Sequence, residues 1–393
     1  MKKSVWAGID LILERPPKIL LEGRVGLLLH PASVNHQLFH TFELMYSMKD
    51  IKITALFGPQ HGIRGETQDN MIEWEGFTDQ HTGIPIFSLY GKHRQPTKEM
   101  LDLIDIMIVD LQDVGARYYT FIWTLALVME ACMEMSKAVV VLDRPNPING
   151  IDLEGILLQE GFESFVGLKP LPIRHGMSIG EIALYLKDNY YKGLDLSVIK
   201  MTDWRREMWF DQTGLPWVMP SPNMPTLDTA TVYPGQCLLE GTLLSEGRGT
   251  TRPFEVFGAP FIDPDRLVKR LRDYGIEGVF FRPMYFIPTF QKHVGLLCGG
   301  AQIHVTERDI FKPFKTTVAI LKAVHDLYPR ERLWRDPPYE YEFERLPIDI
   351  IAGSDRLRFF IEEDVSLKEM EEWWMRDTLT FDKSTRQRYL LYD

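Results

Sequence analysis

The sequence predicts an α/β fold with a mostly parallel β-sheet and helices on both of its faces. In roughly the first 200 residues, short β-branched apolar segments alternate with segments of helical character, which indicates βαβ units. Segments such as MIVDL and VVVLD are almost continuously apolar, as expected of central strands covered on both sides. Each apolar segment gives way to polar, Gly or Pro residues at its carboxyl end, where open α/β sheets bind ligands. The predicted layout is therefore Rossmann-like.

The strands and helices of this first part can be placed one by one. Strands are predicted at residues 24–30, 51–57, 84–91, 104–113 and 137–145. Helices are predicted around residues 35–48, 97–103, 119–136 and 178–189, and the N-terminal segment also has helical character. The helix at 178–189 begins with a capping box, Ser178 followed three residues later by Glu181.

Beyond residue 200 the composition changes. Residues 214–258 are rich in Pro, Gly, Ser and Thr, and we predict a long functional loop there. Mixed elements follow: helices at 263–273, 316–328 and 367–376, and strands within 278–290 and at 301–307. We therefore predict a Rossmann-like catalytic domain at residues 1–235, a smaller α+β auxiliary domain at residues 236–393, and a cleft between them.

Composition limits the classes of function. Hydrophobic residues are 45% and charged residues 25% of the chain, which is typical of a globular protein. The net charge of −11 and the lack of a basic patch argue against nucleic acid or an anionic membrane as a partner. No segment reaches the ~18 apolar residues of a membrane span. The three cysteines are widely separated and no signal peptide is recognised, so a cytoplasmic location is expected, with the oligomeric state left open.

Cofactor motifs are missing from the sequence. The first predicted strand leads into LLLHPASVNHQ, which lacks the GxGxxG of dinucleotide-binding folds, and no Walker A motif is present. Neither HExxH nor an Asp-rich ion loop occurs, and GxSxG is also lacking. No cofactor and no metal are predicted.

The segment LFGPQHGIRGETQDN places acid/base groups directly after a predicted strand. His61, Arg64 and Glu66 lie in a glycine-spaced stretch, and the carboxyl groups of Asp69, Glu73 and Glu75 follow. Two carboxyl groups on either side of a bond are what glycosidic cleavage requires. The alternative is a solvated acidic loop, which the glycines and the strand-end position make less attractive.

Two other strand ends carry candidate binding residues. In DLQDVGARYYT, Asp110 and Asp113 precede a helix start with Arg117, which could hold an anion; an N-cap with aromatic packing is the alternative. In LDRPNPING, Arg144, Asn146 and Asn149 lie in a proline-stiffened loop that could bind sugar hydroxyls, or Arg144 could simply pair with its neighbouring aspartate.

Polar residues further along the chain add to this set. His175 follows in PIRHGMSIGE, although a single histidine is more often structural. Asn223 in PSPN and the polar residues of EGTLLSEGRGTTRPFE complete the collection, with a flexible hinge as the alternative. The residues of interest in that last segment are Glu246, Arg248 and Thr250.

Taken together, the segments FGPQHGIRGE, DLQDVGARYYT, VLDRPNPING, PIRHGMSIGE, PSPNMPT and EGTLLSEGRGTTRPFE resemble the NamZ-type exo-β-N-acetylmuramidases, bacterial glycoside hydrolases. The resemblance runs in order from about Gly8 to beyond residue 310. It implies a Rossmann-like catalytic domain, a smaller C-terminal domain that closes the cleft, and removal of β-1,4-linked N-acetylmuramic acid from the non-reducing ends of peptidoglycan fragments.

The chain departs from the family at one position. The family pattern reads Pro-Glu-His-Gly, whereas this chain has Gln60, and an amide cannot donate a proton as an acid does. Glu66 is our first choice for the general acid and Glu73 the second, with His61 and Gln60 assisting. Asp110, Asp113 or Glu246 would supply the second carboxyl group. A tyrosine nucleophile, Tyr118 or Tyr119, is a further option.

The resemblance also suggests how the substrate is held. Muramic acid carries a lactyl carboxylate, which Arg117 and Arg144 would bind, and Arg64 and Arg248 also lie in motif loops. The residues expected to contact the hydroxyl and acetamido groups are Asn146, Asn149, Asn223 and Thr250. Two alternatives remain: a hydrolase of another acidic or amino-sugar glycoside, which Gln60 favours, and a non-catalytic protein that binds muropeptides.

Overall fold

The computed structural model describes residues 4–68 and 72–393, and its main element is a seven-stranded sheet. The strand order is β3–β4–β2–β1–β5–β6–β7, and every neighbouring pair is parallel except β3 with β4. The strands are β1 Arg24–Leu29, β2 Lys52–Gly58, β3 Phe77–Thr78, β4 Pro85–Ser88, β5 Ile106–Asp110, β6 Ala138–Leu142 and β7 Leu196–Ile199. The five predicted strands and the mostly parallel α/β fold are confirmed.

The direction of winding reverses at the centre of the sheet. From β1 the chain moves outward through β2 to β4, and it then returns to place β5 on the other side of β1. Ligands of open α/β sheets bind at such a reversal, beyond the carboxyl ends of the strands. The helices of this half are α1 Gly8–Glu14, α2 Ile19–Glu22, α3 Thr41–Tyr46, α4 Lys98–Leu101, α5 Phe121–Glu134 and α6 Ile179–Tyr190. The capping box at the start of α6 is present as predicted.

The second half contains a three-stranded antiparallel sheet of order β8–β10–β9. Its strands are β8 Val256–Ala259, β9 Val279–Phe286 and β10 Cys298–Val305. Its helices are α7 Leu227–Gln236, α8 Pro264–Asp273, α9 Pro313–Leu327, α10 Pro347–Ala352, α11 Arg356–Glu362 and α12 Leu367–Ser384. Short 3₁₀ helices occur at Phe210–Gln212, Cys237–Gly241 and Arg386–Arg388. A smaller α+β part is therefore confirmed.

The prediction of a continuous loop at 214–258 is wrong, because α7, a 3₁₀ helix and β8 lie within it. Thr226 caps α7 by accepting a hydrogen bond from the backbone N–H of Thr229. Pro234 lies inside the helix, and a Cβ on Gly235 would come within 1.9 Å of the Pro313 carbonyl oxygen. The proline and glycine that suggested a loop thus permit close packing of α7 against α9.

The two halves share one continuous hydrophobic core, which includes Trp123 from α5 and Phe314 and Trp374 from α9 and α12. The proposed boundary at residue 235 falls inside α7 and stays a prediction. Within residues 4–68 and 72–393, no helix has the length and apolar character needed to cross a membrane.

Candidate active site

A polar cavity lies where the carboxyl ends of β2 and β5 meet the second half of the chain. Its empty space, part of it open to solvent, is about 440 Å³, and it is lined by residues from both halves. The lining residues are Gln60, His61, Tyr118, Tyr119, Thr120, Val166, Ser221, Asn223, Met224, Tyr233, Glu240, Arg248, Phe254, Tyr339 and Glu340. Its position at the reversal of the strand order is the one at which an α/β sheet binds its ligand.

The floor of the cavity is built by the turn after β2. A Cβ on Gly58 would lie 2.6 Å from the ring of Trp74, so the strand must end in glycine for this close approach. Gln60 follows two residues after this glycine, and its Oε1 accepts a 2.6 Å hydrogen bond from Thr120 Oγ1. His61 has a positive φ of 70°, and its Nδ1 lies 2.7 Å from the Thr67 carbonyl oxygen. Local contacts therefore hold Gln60 and His61 in place at the strand end.

The second half contributes two buried carboxyl groups in different surroundings. Glu240 accepts hydrogen bonds from Arg248 Nη2 at 2.8 Å and from Tyr339 Oη at 2.7 Å. Glu340 accepts a hydrogen bond from the Tyr90 hydroxyl, whose oxygen is 3.1 Å from each carboxyl oxygen. Burial raises the pKa of Glu340 to about 7; the Tyr90 hydrogen bond opposes this increase, and the charge of Glu240 adds to it. Glu240 is thus paired with a cation, and burial favours the protonated form of Glu340.

Arg248 belongs to a wider network of charges beneath the cavity. Its Nε lies 4.0 Å from Glu246, and Glu246 Oε2 in turn lies 2.9 Å from Lys292 Nζ. Lys292 also donates to the carbonyl oxygens of Leu239 and Leu244, at 2.6 and 2.9 Å. Glu246 itself is not among the lining residues, so its place is in the support of Arg248.

Aromatic rings form one wall of the cavity. Tyr118 and Tyr119 both pack edge-on against Tyr233, with ring centroids 5.6 and 5.9 Å apart, and Tyr233 packs against Phe254. The Tyr118 hydroxyl also donates to the Pro234 carbonyl oxygen. Burial raises the pKa of both Tyr118 and Tyr119. A nucleophilic tyrosine needs a lowered pKa, so these surroundings favour sugar packing over nucleophilic attack.

The arginines expected to bind the lactyl carboxylate lie elsewhere. Arg117 is fully buried, and its guanidinium donates to four carbonyl oxygens, those of Ile156, Leu171, Ile351 and Ala352, at 2.7 to 3.0 Å. Burial lowers the pKa of Arg117 to about 10. Arg117 therefore links the two halves structurally, and the sequence-based prediction that it contacts the ligand is not supported.

Arg144 and Asp110 bind each other. Arg144 Nε lies 2.5 Å from Asp110 Oδ1 and its Nη2 lies 2.7 Å from Oδ2, and Thr41 also donates to Oδ2. Asp110 is fully buried and Arg144 nearly so, and neither lines the cavity. The sequence left open that Arg144 forms a simple Asp–Arg pair. Such a pair is present, and its aspartate is Asp110 at the end of the adjacent strand β5.

Other strand-end candidates are also engaged in local structure. Asp113 Oδ2 lies 3.1 Å from His175 Nε2 and accepts from the Gly115 amide at 2.7 Å. Asn146 donates to the Met177 carbonyl oxygen at 3.0 Å. Neither pair lines the cavity.

Asn149 lies in a separate groove. It has a φ of 67° and lines a wider, more open space of about 1420 Å³ together with Asp152 and Trp209. That groove is larger, but it is more open and lacks the strand-end turn of the first cavity, so we place the candidate active site in the smaller one.

The acidic loop after β2 lies beside the cavity without lining it. Glu66 is exposed, and Arg64 is exposed over the ring of Phe77 at 4.5 Å. Glu73 accepts a 2.6 Å hydrogen bond from the hydroxyl of Tyr341. Glu75 is exposed, and Asp69 is outside the described residues.

Two residues of the C-terminal motifs occupy different places. Asn223 lines the cavity and donates to the Gln68 carbonyl oxygen at 2.6 Å. Thr250 donates to the Gly247 carbonyl oxygen at 2.6 Å within a turn and does not line the cavity.

The sequence-based prediction does not include Glu340, Tyr339 or Tyr90, and it leaves Glu240 without a role. Glu240 begins a motif segment, so its polar, glycine-rich setting offered a signal. Glu340 lies in PPYEYEFER, which follows no strand and has no helical period, so no local pattern points to it. Among residues 4–68 and 72–393, no group of three or more His, Cys, Asp or Glu side chains is placed to hold a metal ion.

Comparison with known proteins yields a consistent set of relatives. The family description "Exo-beta-N-acetylmuramidase NamZ, N-terminal" matches residues 25–228, and its C-terminal counterpart matches residues 231–392. A Bacillus subtilis (strain 168) protein named peptidoglycan beta-N-acetylmuramidase NamZ is 45% identical over 392 residues, which are 100% of this chain and 92% of that protein.

Two crystal structures of DUF1343 family proteins from Bacteroides fragilis NCTC 9343 share the fold. One has a TM-score of 0.89 and 32% identity, with 99% of each chain covered. The other has a TM-score of 0.77 and 29% identity, and the match covers 100% of this chain and 99% of that one. Because the two family descriptions together match most of the sequence, this chain belongs to the NamZ family of exo-β-N-acetylmuramidases, which are glycoside hydrolases.

Proposed function

We propose that this protein is an exo-acting glycosidase that releases terminal β-1,4-linked N-acetylmuramic acid from peptidoglycan fragments. Family membership and the name of the Bacillus subtilis relative support the substrate class. The observation that carries the proposal is a cavity walled by both halves of the chain, with two buried carboxyl groups in unlike surroundings. Glycosidic cleavage needs one carboxyl group as an acid and a second as a base or nucleophile.

The walls that the second half adds to the cavity support the exo mode of action. An exo-acting enzyme binds a chain end, so its site must be closed beyond the terminal sugar. Here the second half supplies the closure through Tyr339 and Glu340, while the turn after β2 supplies the floor. The aromatic wall of Tyr118, Tyr119 and Tyr233 offers apolar surface to a sugar ring.

The recognition of a muramic acid carboxylate falls to Arg248 in this proposal. It is the arginine among the cavity-lining residues, whereas Arg117 and Arg144 are occupied by carbonyl oxygens and by Asp110. Gln60, His61 and Asn223 would contact the hydroxyl and acetamido groups. The free, buried cysteines support a further proposal, that the enzyme works in a reducing compartment such as the cytoplasm.

The test compares sugars that differ only in the lactyl group. The purified protein is incubated with N-acetylmuramyl-β-1,4-N-acetylglucosamine, a chromogenic β-N-acetylmuramide and the matching β-N-acetylglucosaminide. We expect release of muramic acid from the first two and turnover of the third at least ~100-fold slower, because the glucosaminide lacks the lactyl carboxylate that Arg248 would contact. Equal rates on both chromogenic sugars would point to another amino-sugar substrate, and turnover of none would refute the proposal.

A further inference from the structure

We propose that Lys292 is a positioning residue that keeps Arg248 directed at the lactyl carboxylate of the substrate. This inference rests on the proposed glycosidase function, in which Arg248 contacts that carboxylate, and it concerns the preference for muramic acid over N-acetylglucosamine. Lys292 lies in the connection between β9 and β10 and is not among the cavity-lining residues. Any effect it has on the substrate must therefore pass through other side chains.

The connection between β9 and β10 is fixed, on both sides of Lys292, against the segment that leads into β8. Thr289 donates to the Gly249 carbonyl oxygen through its backbone N–H and through its hydroxyl, each at 2.9 Å. On the other side, His293 Nε2 lies 2.7 Å from the Leu243 carbonyl oxygen. The backbone that carries Lys292 is therefore held in place by contacts other than those of the lysine itself.

The Lys292 side chain ends among three acceptors. Its Nζ lies 2.6 Å from the Leu239 carbonyl oxygen, 2.9 Å from the Leu244 carbonyl oxygen and 2.9 Å from Glu246 Oε2. An ammonium group has three donors, one for each of these acceptors, whereas a neutral amine has two. Burial lowers the pKa of Lys292, and the charge of Glu246 opposes this decrease. The three contacts together require the charged form of Lys292.

Glu246 lies between Lys292 and Arg248, and its side chain is 2% exposed. Its Oε2 accepts from Lys292, whereas its Oε1 lies 4.0 Å from Arg248 Nε, which is longer than a hydrogen bond. Burial opposes the ionisation of Glu246, but the charges of Lys292 and Arg248 outweigh it and lower the pKa of this carboxyl group. Glu246 is thus a carboxylate whose nearer cation is Lys292.

Arg248 reaches the cavity with the other end of its guanidinium group. Its Nη2 lies 2.8 Å from Glu240 Oε1, and both residues line the cavity. A buried carboxylate that loses its cation is strongly destabilised, so without Lys292 the charge of Glu246 would draw in Arg248, its other cation. Closing that pair would turn the guanidinium away from the cavity. Lys292 therefore keeps Glu246 from competing with the substrate carboxylate for Arg248.

The test is a double-mutant cycle on Lys292 and Glu246. Rates are measured on a chromogenic β-N-acetylmuramide and on the matching β-N-acetylglucosaminide, which lacks the lactyl group. We expect Lys292→Met to lower kcat/KM on the muramide by about 10–100-fold, mainly through a higher KM. On the glucosaminide, kcat/KM should change by less than about threefold, because that sugar has no carboxylate for Arg248 to bind.

Removing the competing charge should restore the preference. Glu246→Gln alone, and Lys292→Met combined with Glu246→Gln, should both keep the wild-type ratio of muramide to glucosaminide kcat/KM within about threefold. This restoration separates the proposed role from a purely structural one, since the double variant lacks both partners of the ion pair. If Lys292→Met alone does not fold, the comparison of Glu246→Gln with the double variant decides, because neither contains a buried carboxylate without its lysine.

A matched control removes a lysine whose ion pair lies away from the cavity. Lys315 Nζ lies 2.7 Å from Glu371 Oε2 in the same half of the chain, and Lys315→Met should change neither rate. Thermal unfolding shows whether each variant folds.

The possible failures of the inference and of the proposed function can be told apart. An equal loss on both sugars in Lys292→Met, an unchanged muramide preference in that variant, or a loss that persists in the double variant would overturn the role of Lys292 alone. A wild-type protein that turns over both sugars equally, or neither of them, would overturn the proposed function and this inference together.

Discussion

Replacing Glu340 with glutamine should change how the stability of the protein depends on pH. Burial raises the pKa of this carboxyl group from 4.5 to about 7 in the folded protein. The folded state therefore holds a proton that the unfolded state releases between those two values. Since the folded state binds more protons, stability falls as the pH rises through this window. Glutamine is neutral throughout and escapes the loss.

The size of the effect follows from the shift. Each pKa unit corresponds to about 1.4 kcal/mol, and a shift from 4.5 to about 7 gives about 3 kcal/mol over the full window. Most of this free energy, about 2 to 3 kcal/mol, is lost between pH 5 and pH 8. The free energy of unfolding of the wild type should therefore fall by that amount relative to Glu340→Gln between these two pH values.

Urea denaturation at pH 5, 6, 7 and 8 would measure the difference, followed by fluorescence and circular dichroism to establish a single transition. Glu277→Gln, which removes an exposed carboxyl group, is the matched control and should track the wild type. If the wild type and Glu340→Gln keep a constant difference within about 0.5 kcal/mol, Glu340 is ionised at neutral pH. That result would refute the raised pKa of Glu340 in the folded protein.

Three further outcomes are expected. Arg117→Met should lower the free energy of unfolding by about 3 kcal/mol or more, because four buried carbonyl oxygens lose their donor. Arg330 is exposed, so Arg330→Met should change the free energy of unfolding by less than about 0.5 kcal/mol in the same urea titration. Gly235→Ala should destabilise by about 3 kcal/mol or fail to fold, since its Cβ would meet the Pro313 carbonyl at 1.9 Å; Gly193→Ala, with its nearest neighbour at 3.8 Å, should melt like the wild type. EDTA should leave the rate of muramic acid release unchanged, and a loss restored by a divalent metal would contradict the metal-free site.

Much of the fold could be predicted because the strong signals are local. β6 is apolar along its whole length, β5 is apolar up to its last residue, Asp110, and the capping box of α6 marks its first turn. The two-residue strand β3 carries too little pattern to be recognised. The helix α7 contains Pro234 and Gly235, which local propensity disfavours, and its burial against α9 outweighs that propensity.

The candidate site could be predicted only in part, because strand ends show where polar residues gather and not which of them pair with one another. Asp110 and Arg144 end adjacent strands and satisfy each other. His61 and Asn223, by contrast, do line the cavity. Glu340 meets Tyr90 across 250 positions of sequence, and only the tertiary fold brings them together.

The link made by Arg117 has a consequence for how the chain is synthesised. Arg117 precedes Ala352, whose carbonyl oxygen it binds, by 235 residues. Glu154 precedes Phe314, whose backbone N–H donates to its carboxylate, by 160 residues. Ribosomes add about 5–20 residues per second, so Arg117 waits for about 10–50 s before its last partner emerges. During that interval Arg117 and Glu154 lack the hydrogen-bond partners that α9 and α10 supply in the folded protein.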